Sequence, residues 1–221
     1  MKWIYGRQDW KTLERGLENC YLLTNDLGGF SSLTMTGAVA RNDHSVFMAC
    51  VKAPNYRINM IHRMKEELDI GESKYVFSTQ EFANGTKEEG YRYLTEFSFE
   101  TLPVWNYLIS GVEMEKEIVM EQGSNQIALN YHLKNRSQEE AVLCVTPFFQ
   151  FEPKGEDLKE DKIFSRQAQK IPMESIIFSL KQMGRQKNFR KRKKRIFIAT
   201  MNVMEDEKME PQVQCIRLKN G

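Results

Sequence analysis

The sequence has no long apolar run. None of its windows approaches the roughly 18 consecutive apolar residues that a membrane-spanning helix needs. The first ten residues also turn polar before a run of signal-peptide length develops. We therefore expect a soluble, cytoplasmic protein that has no membrane partner.

The spacings that mark metal and phosphate sites are also missing. The four cysteines are scattered without C-x-x-C spacing, and the three histidines show no metal-ligand spacing along the chain. Gly28-Gly29 lacks the lysine of a phosphate-binding loop and is typical of a tight turn that enters a strand. The sequence predicts reduced thiols, no metal site and no cofactor.

Acidic residues are missing from one basic segment. Residues 184–195 hold eight of the 32 basic residues, which leaves 24 basic against 30 acidic residues elsewhere. The overall net charge of +2 therefore hides a +8 segment beside a −6 body. Nucleic-acid-binding proteins usually spread their basic residues over a folded face. We interpret 184–195 as a basic loop or linker and do not expect a nucleic-acid partner.

Hydrophobic alternation predicts strands through most of the chain. With 221 residues and 41% apolar content, the chain can bury one sizeable core. Turn residues separate the apolar runs, and only Asp9 suggests a helix, a short one through Glu14. The predicted strands are 31–39, 46–52, 58–64, 74–78, 91–100, 104–109, 112–120, 126–134, 140–151, 174–181 and 195–200. This pattern predicts an all-β protein, a large antiparallel β-sandwich over 1–183, followed after the basic segment by a final strand and a divergent tail over 196–221.

Combinations that resemble catalytic sites do not satisfy the geometry of catalysis. Glu113, Glu115 and Glu117 alternate along one strand and project in parallel, whereas glycosidase carboxylates flank the scissile bond from two sides. Asp43-His44-Ser45 has the residue types of a hydrolase triad, but adjacent residues of a strand point to opposite faces. We therefore predict no catalytic residue in this chain.

An aromatic row marks the segment Gly90-Tyr-Arg-Tyr-Leu-Thr-Glu-Phe-Ser-Phe99. Tyr91, Tyr93, Phe97 and Phe99 share one parity, which Thr95 interrupts. Such a row either anchors a core between two sheets or forms part of a sugar-stacking surface. The residues alone leave both interpretations open.

Five ordered segments resemble the N-terminal domain of bacterial and archaeal glycogen debranching enzymes. Tyr21-Leu-Leu-Thr-Asn-Asp-Leu-Gly-Gly-Phe30 is similar to that family's W-L-L-T-N-G-L-G-G-F/Y. Residues 32–49 resemble its S-T-x-x-G-x-x-x-R-x-Y-H-G-L-L-V-A, with Gly37, Arg41 and His44 in register. Three later segments, at 90–97, 103–107 and 111–120, resemble Y-R-Y-L-x-x-F, P-x-W/F-x-Y and G-V-x-L-E-K-x-x-x-M.

The resemblance implies a fold and a role. In this amylo-α-1,6-glucosidase family, a glycoside hydrolase family of glycogen breakdown, the N-terminal domain is a supersandwich beside a catalytic (α/α)₆ toroid. The expected function is therefore a non-catalytic domain that binds glucan or packs on such a toroid. The family domain also continues past residue 221, so we expect either a shortened relative or a disrupted gene.

The resemblance implies an α-glucan partner. Aromatic rings stack on sugar faces, and amides and guanidinium groups match vicinal hydroxyls. The candidate glucan-binding residues are Asn25, Arg41, His44, Tyr91, Arg92, Tyr93 and Trp105. Each also has a structural interpretation as a turn cap, an ion-pair partner or a core residue. Two other functions stay open: a stand-alone carbohydrate-binding sandwich, and an interaction protein that acts through its basic segment.

Overall fold

Antiparallel strands make up most of the described chain. The computed structural model describes residues 1–157, 195–198 and 214–218. Its strands are Trp3–Gly6 (β1), Leu23–Thr24 (β2), Phe30–Ser32 (β3), Ser45–Lys52 (β4), Tyr56–Ile70 (β5), Ser73–Val76 (β6), Thr79–Glu81 (β7), Lys87–Glu89 (β8), Leu94–Phe99 (β9), Pro103–Ile109 (β10), Val112–Met120 (β11), Ile127–Asn135 (β12), Ala141–Pro153 (β13), Arg195–Ile198 (β14) and Gln214–Leu218 (β15). The helices are Leu13–Glu18 (α1) and two 3₁₀ turns, Arg7–Trp10 and Gly90–Arg92.

The strands form two large sheets. Sheet one has the order β1-β9-β10-β11-β12-β14, and sheet two has the order β15-β13-β5-β4-β3-β2 with β6 also paired to β5. Strands β7 and β8 form a separate hairpin. All of these pairings are antiparallel. The predicted all-β sandwich is confirmed.

The core lies between the inner faces of the two sheets. Along β11, the inward residues alternate with outward glutamates, so one face of the strand is buried and the other is not. Aromatic rings from segments that flank strands of sheet two pack against sheet one: Phe77, just after β6, and Tyr107 of β10 meet edge to face with centroids 5.3 Å apart. Tyr21 meets Trp105 in the same way at 5.4 Å. These contacts fix how the strands of sheet one lie over sheet two.

A buried ion pair also bridges the sheets. Lys116 of β11 places its Nζ 2.6 Å from Glu66 Oε1 of β5, and each side chain is 3% exposed. The Tyr131 hydroxyl donates a hydrogen bond to the same carboxylate oxygen, and the lysine also lies over the Trp105 ring. An ion pair so deep in the core needs all of its partners, because one charge left alone there would be strongly destabilising.

Strand β5 is much longer than the predicted strand 58–64. The charged run Lys65-Glu66-Glu67 resembles a loop, but Glu66 is accommodated in the core by Lys116, and Glu67 pairs with Lys65 and Lys74 on the outside. A contact with the other sheet therefore overrides the local polarity. Strand β5 ends at Ile70, the chain turns at Gly71, and β6 begins at Ser73.

Other predicted elements also differ from those in the structure. The predicted strand 31–39 is a strand only over Phe30–Ser32, because the chain then turns at Gly37. The short helix begins after Thr12, whose side chain accepts from the Arg15 amide, rather than at Asp9. Predicted strand 174–181 and the basic segment up to residue 194 lie outside the described residues.

One cysteine differs from the expected reduced state. Cys144 of β13 is disulfide-bonded, and the residue opposite it in the register of β15 is Cys215. The expectation of four reduced thiols is therefore wrong for Cys144, because two cysteines 71 positions apart along the sequence are brought opposite each other by strand pairing. Cys20 and Cys50 are free thiols. No helix among the described residues is both long and apolar enough to cross a membrane.

Candidate functional site

Asn25, in the segment Tyr21–Phe30, is completely buried. Its side-chain oxygen accepts from the amides of Leu27 and Gly29, at 3.1 and 2.9 Å. Its side-chain nitrogen donates to Ser124 O at 2.7 Å and to Asn125 Oδ1 at 3.1 Å. The hydrogen-bonding capacity of the amide is therefore used up inside the protein. Asn25 fastens the 24–30 turn to the turn that joins β11 to β12.

We call these four hydrogen bonds the Asn25 clasp. The clasp accounts for the glycine pair Gly28-Gly29. A Cβ atom on Gly29 would lie 2.8 Å from Asn25 Nδ2 and 3.0 Å from the Met48 carbonyl oxygen. Gly28 has a φ of +87°, a left-handed conformation that favours glycine. The close approach of two backbone segments around the Asn25 side-chain amide therefore explains the two glycines of the Tyr21–Phe30 segment.

His44 lies inside the fold as well. The side chain is 2% exposed, and its Nδ1 accepts from the Ala40 amide at 3.1 Å. Burial lowers the pKa of His44, and the Arg41 charge lowers it further, although Asp43 opposes both. The imidazole is therefore a neutral acceptor that holds the 40–44 turn closed.

Trp105 fills the centre of the core and is fully buried. Its indole nitrogen donates to the Met35 carbonyl at 2.9 Å, which joins sheet one to the loop after β3. The ring lies 5.2 Å from Phe97, its partner on β9, and it carries the Lys116 ammonium on its face. The structure thus gives this tryptophan a packing role, and its surface is not available for stacking on a sugar in this conformation.

The other four candidates lie at the protein surface. Arg41 and Arg92 are exposed, and Tyr91 and Tyr93 are half-buried. Arg92 forms an ion pair with Glu89 at 2.8 Å, and the Tyr91 hydroxyl donates to the same carboxylate oxygen at 3.4 Å. We call Arg41, Tyr91, Arg92 and Tyr93 the Arg–Tyr edge.

Two features hold the Arg–Tyr edge in place. Gly90 passes so close to the segment after β6 that a Cβ atom there would fall 1.9 Å from the Phe77 carbonyl oxygen. Gln80 of β7 accepts from the Val39 amide at 3.1 Å and donates to the Val39 carbonyl at 2.9 Å. This bidentate contact ties the loop that leads to Arg41 to the β7–β8 hairpin, which leads to Tyr91. The edge thus comes from two separated segments.

Sequence reasoning missed Glu89 and Gln80, the residues that orient the edge. Glu89 had one available signal, since Glu at i and Arg at i+3 often pair across a single helical turn. Gln80 gave none, because its partner lies 41 residues away along the chain. The edge presents guanidinium donors and tyrosine rings, and Glu89 is engaged by Arg92. This arrangement suits binding rather than bond cleavage by paired carboxylates.

The family of the chain follows from its match over most of its length. Residues 19–213 match the family described as glycogen debranching enzyme N terminal. The chain belongs to this family. No curated protein matches the chain. The matched residues include the Asn25 clasp, His44, Trp105 and the whole Arg–Tyr edge. The match also runs through the basic segment 184–195.

Proposed function

We propose that this protein serves α-glucan breakdown as the non-catalytic N-terminal domain of a glycogen debranching enzyme. The observation that carries this proposal is the family match over residues 19–213. The fold agrees with such a role, because a rigid sandwich with buried cross-links between its sheets is suited to present a fixed surface. Hydrolysis of the α-1,6 branch would use carboxylates of an (α/α)₆ toroid that packs against the sandwich.

The proposed glucan contact is the Arg–Tyr edge. Asn25, His44 and Trp105 are engaged inside the protein, so direct contact with a sugar at these residues would require the fold to open. Arg41 and Arg92 present guanidinium forks that match neighbouring hydroxyls, and Tyr91 and Tyr93 present partly exposed rings. The favoured ligand is a linear or branched α-glucan that crosses this edge.

Affinity electrophoresis in native gels with and without amylopectin tests the proposal. The decisive variant is R41Q/R92Q, which removes both forks and keeps the rings. Arg136 provides a matched control, because it is also exposed and also forms an ion pair at 2.8 Å, with Glu113 of sheet one. We expect amylopectin to retard the wild type and R136Q equally and to retard R41Q/R92Q much less.

The same gels separate this proposal from its alternatives. Equal retardation of R41Q/R92Q and the wild type would remove the Arg–Tyr edge from the account. Retardation that disappears with deletion of 184–194 and with added salt would favour the basic segment as the binding element. A folded protein that amylopectin does not retard at all would contradict glucan binding and leave a packing role on the toroid.

A further inference from the structure

Three metal-ligating side chains meet on the outer face of sheet one. Glu115 and Glu117 are alternate residues of β11 and therefore share a face. His132 lies directly opposite Glu115 in the register of β12. One ligand atom from each of the three residues lies within 4.8 Å of the other two, and all three side chains are half-buried.

The histidine in this group lacks the hydrogen bonds that a buried imidazole normally makes. The His132 side chain is only 11% exposed, and its buried Nδ1 has no partner among the described residues. Its Nε2 lies 3.9 Å from Glu117 Oε2, which is too long for a hydrogen bond. The buried side-chain oxygen of neighbouring Asn130 also has no partner in the described chain. The imidazole therefore has no hydrogen bond to another side chain of the cluster, and its Nε2, on the side of Glu117, is free to bind a further ligand.

Within residues 1–157, neither carboxylate has a lysine or arginine partner. Glu113, the next outward residue on β11, pairs with Arg136 at 2.8 Å. Within residues 1–157, Glu117 has only the His132 contact and a 3.4 Å hydrogen bond from Asn130 Nδ2, and Glu115 has no ion pair. Two half-buried carboxylates and an imidazole that lie this close together are side-chain types that bind divalent cations.

We propose that Glu115, Glu117 and His132 form a binding site for a first-row divalent cation, best fitted to Zn²⁺. One imidazole and two carboxylates are the ligand types that Zn²⁺ accepts, and they disfavour Ca²⁺, which prefers oxygen ligands only. Tetrahedral Zn²⁺ with bonds of about 2.0–2.2 Å sets neighbouring ligand atoms about 3.3–3.5 Å apart. The observed separations, up to 4.8 Å, are longer than this, so the glutamate side chains would move closer on binding, with water completing the coordination.

The site would join β11 to β12, and it contains none of the residues of the Arg–Tyr edge. Metal-ligand spacing along the sequence does not reveal this site, because Glu117 and His132 lie 15 positions apart and meet only through strand pairing. The residue opposite His132 on the other side, in the register of β14, is Arg195. The guanidinium group of an arginine at that position competes with a metal ion as the source of positive charge for the carboxylates. Metal uptake therefore has to be measured directly.

Equilibrium dialysis of the tag-free chain against excess ZnCl₂ tests the proposal, with bound metal counted per chain. A C20S background removes the exposed free thiol as a competing ligand. We expect one Zn²⁺ per chain, and more than about 100-fold weaker binding in H132Q and in E117Q, which is beyond the loss usual for outer-shell residues. E113Q is the matched control, because Glu113 lies on the same face of the same strand but is engaged by Arg136.

A second readout identifies the ligands. Co²⁺ bound at this site should give the visible absorption of a low-symmetry, four- or five-coordinate ion, and H132Q should abolish it while E113Q leaves it unchanged. Circular dichroism of each variant establishes that its fold is retained. The proposal is overturned if the folded C20S protein takes up no Zn²⁺, or if uptake survives both H132Q and E117Q.

Discussion

The interior and the surface residues of the candidate site differ in the hydrogen-bond partners of their side chains. Asn25 and Trp105 donate hydrogen bonds to distant segments, and His44 accepts one from the Ala40 amide within its own turn. In the Arg–Tyr edge, Arg92 pairs with Glu89 and Arg41 donates to Glu18 O and Cys20 Sγ, but both guanidinium groups stay exposed and the two tyrosine rings are only half-buried. The same sequence motifs therefore serve two purposes: the interior residues join the sheets and turns, and the edge residues are available to a ligand.

The largest expected effect comes from truncating the most buried member. Replacing Trp105 with alanine removes a fully buried indole together with its hydrogen bond to Met35, and we expect a loss of about 3–5 kcal/mol in the free energy of unfolding. Urea unfolding followed by circular dichroism measures the loss. A milder W105F variant should retain more of this free energy, because the ring packing is kept and only the indole N–H and part of the volume are lost. A loss below about 1 kcal/mol in W105A would show that Trp105 is not the core anchor described here.

A smaller loss is expected at the Asn25 clasp. N25A leaves the Leu27 and Gly29 amides without their acceptor and Ser124 O without its donor, at a cost of about 2–3 kcal/mol. N25D separates the two halves of the clasp, since it keeps an acceptor but directs a carboxylate oxygen at Ser124 O. We expect N25D to be destabilised as well, whereas D26N, on the exposed neighbour, should unfold at the same urea concentration as the wild type. Equal stability of N25A and D26N would disprove the clasp.

The pH dependence of stability reports on the buried histidines. Burial lowers the pKa of His44 and of His62, and Arg63 and His44 lower that of His62 further. The folded state therefore binds fewer protons than the unfolded state once the pH falls below the unfolded pKa of about 6.5. Stability should be complete above that pH and decrease as the pH falls towards the folded pKa values, by at most about 1.4 kcal/mol per pH unit for each histidine.

Urea midpoints between pH 7.5 and 5 measure this slope. H44Q keeps an acceptor for the Ala40 amide and removes the titrating group, so its slope should be shallower than that of the wild type. An unchanged slope in H44Q would mean that His44 is not held neutral by the fold.

Most of the fold follows from local sequence, and the exceptions have identifiable causes. The period-2 pattern of residues 112–120 predicts β11 with the bounds that the structure has, because its inward residues are apolar apart from Lys116. Strand β5 extends beyond its prediction because Glu66 has its partner on the opposite sheet. The two-residue strand β2 and the hairpin β7–β8 are too short for any periodic pattern to reveal.

The candidate site was less predictable than the fold. Residue type and family resemblance select Asn25 and Arg92 equally, since both are polar and both lie in matching segments. Only the three-dimensional structure shows that one is saturated by Ser124, Asn125, Leu27 and Gly29 and that the other is exposed. The proposed metal site and the disulfide-bonded Cys144 depend on strand register, which the sequence does not specify on its own.

Hydrogen–deuterium exchange with and without a soluble branched α-glucan tests the division between interior and edge most directly. We predict that glucan slows amide exchange in 39–41 and 89–94, while the 24–30 turn and the strand β10 that carries Trp105 exchange slowly in both conditions. Protection by glucan confined to the 24–30 turn or to β10, with the Arg–Tyr edge unchanged, would contradict the account, because it would place the ligand at the residues that we describe as holding the fold together.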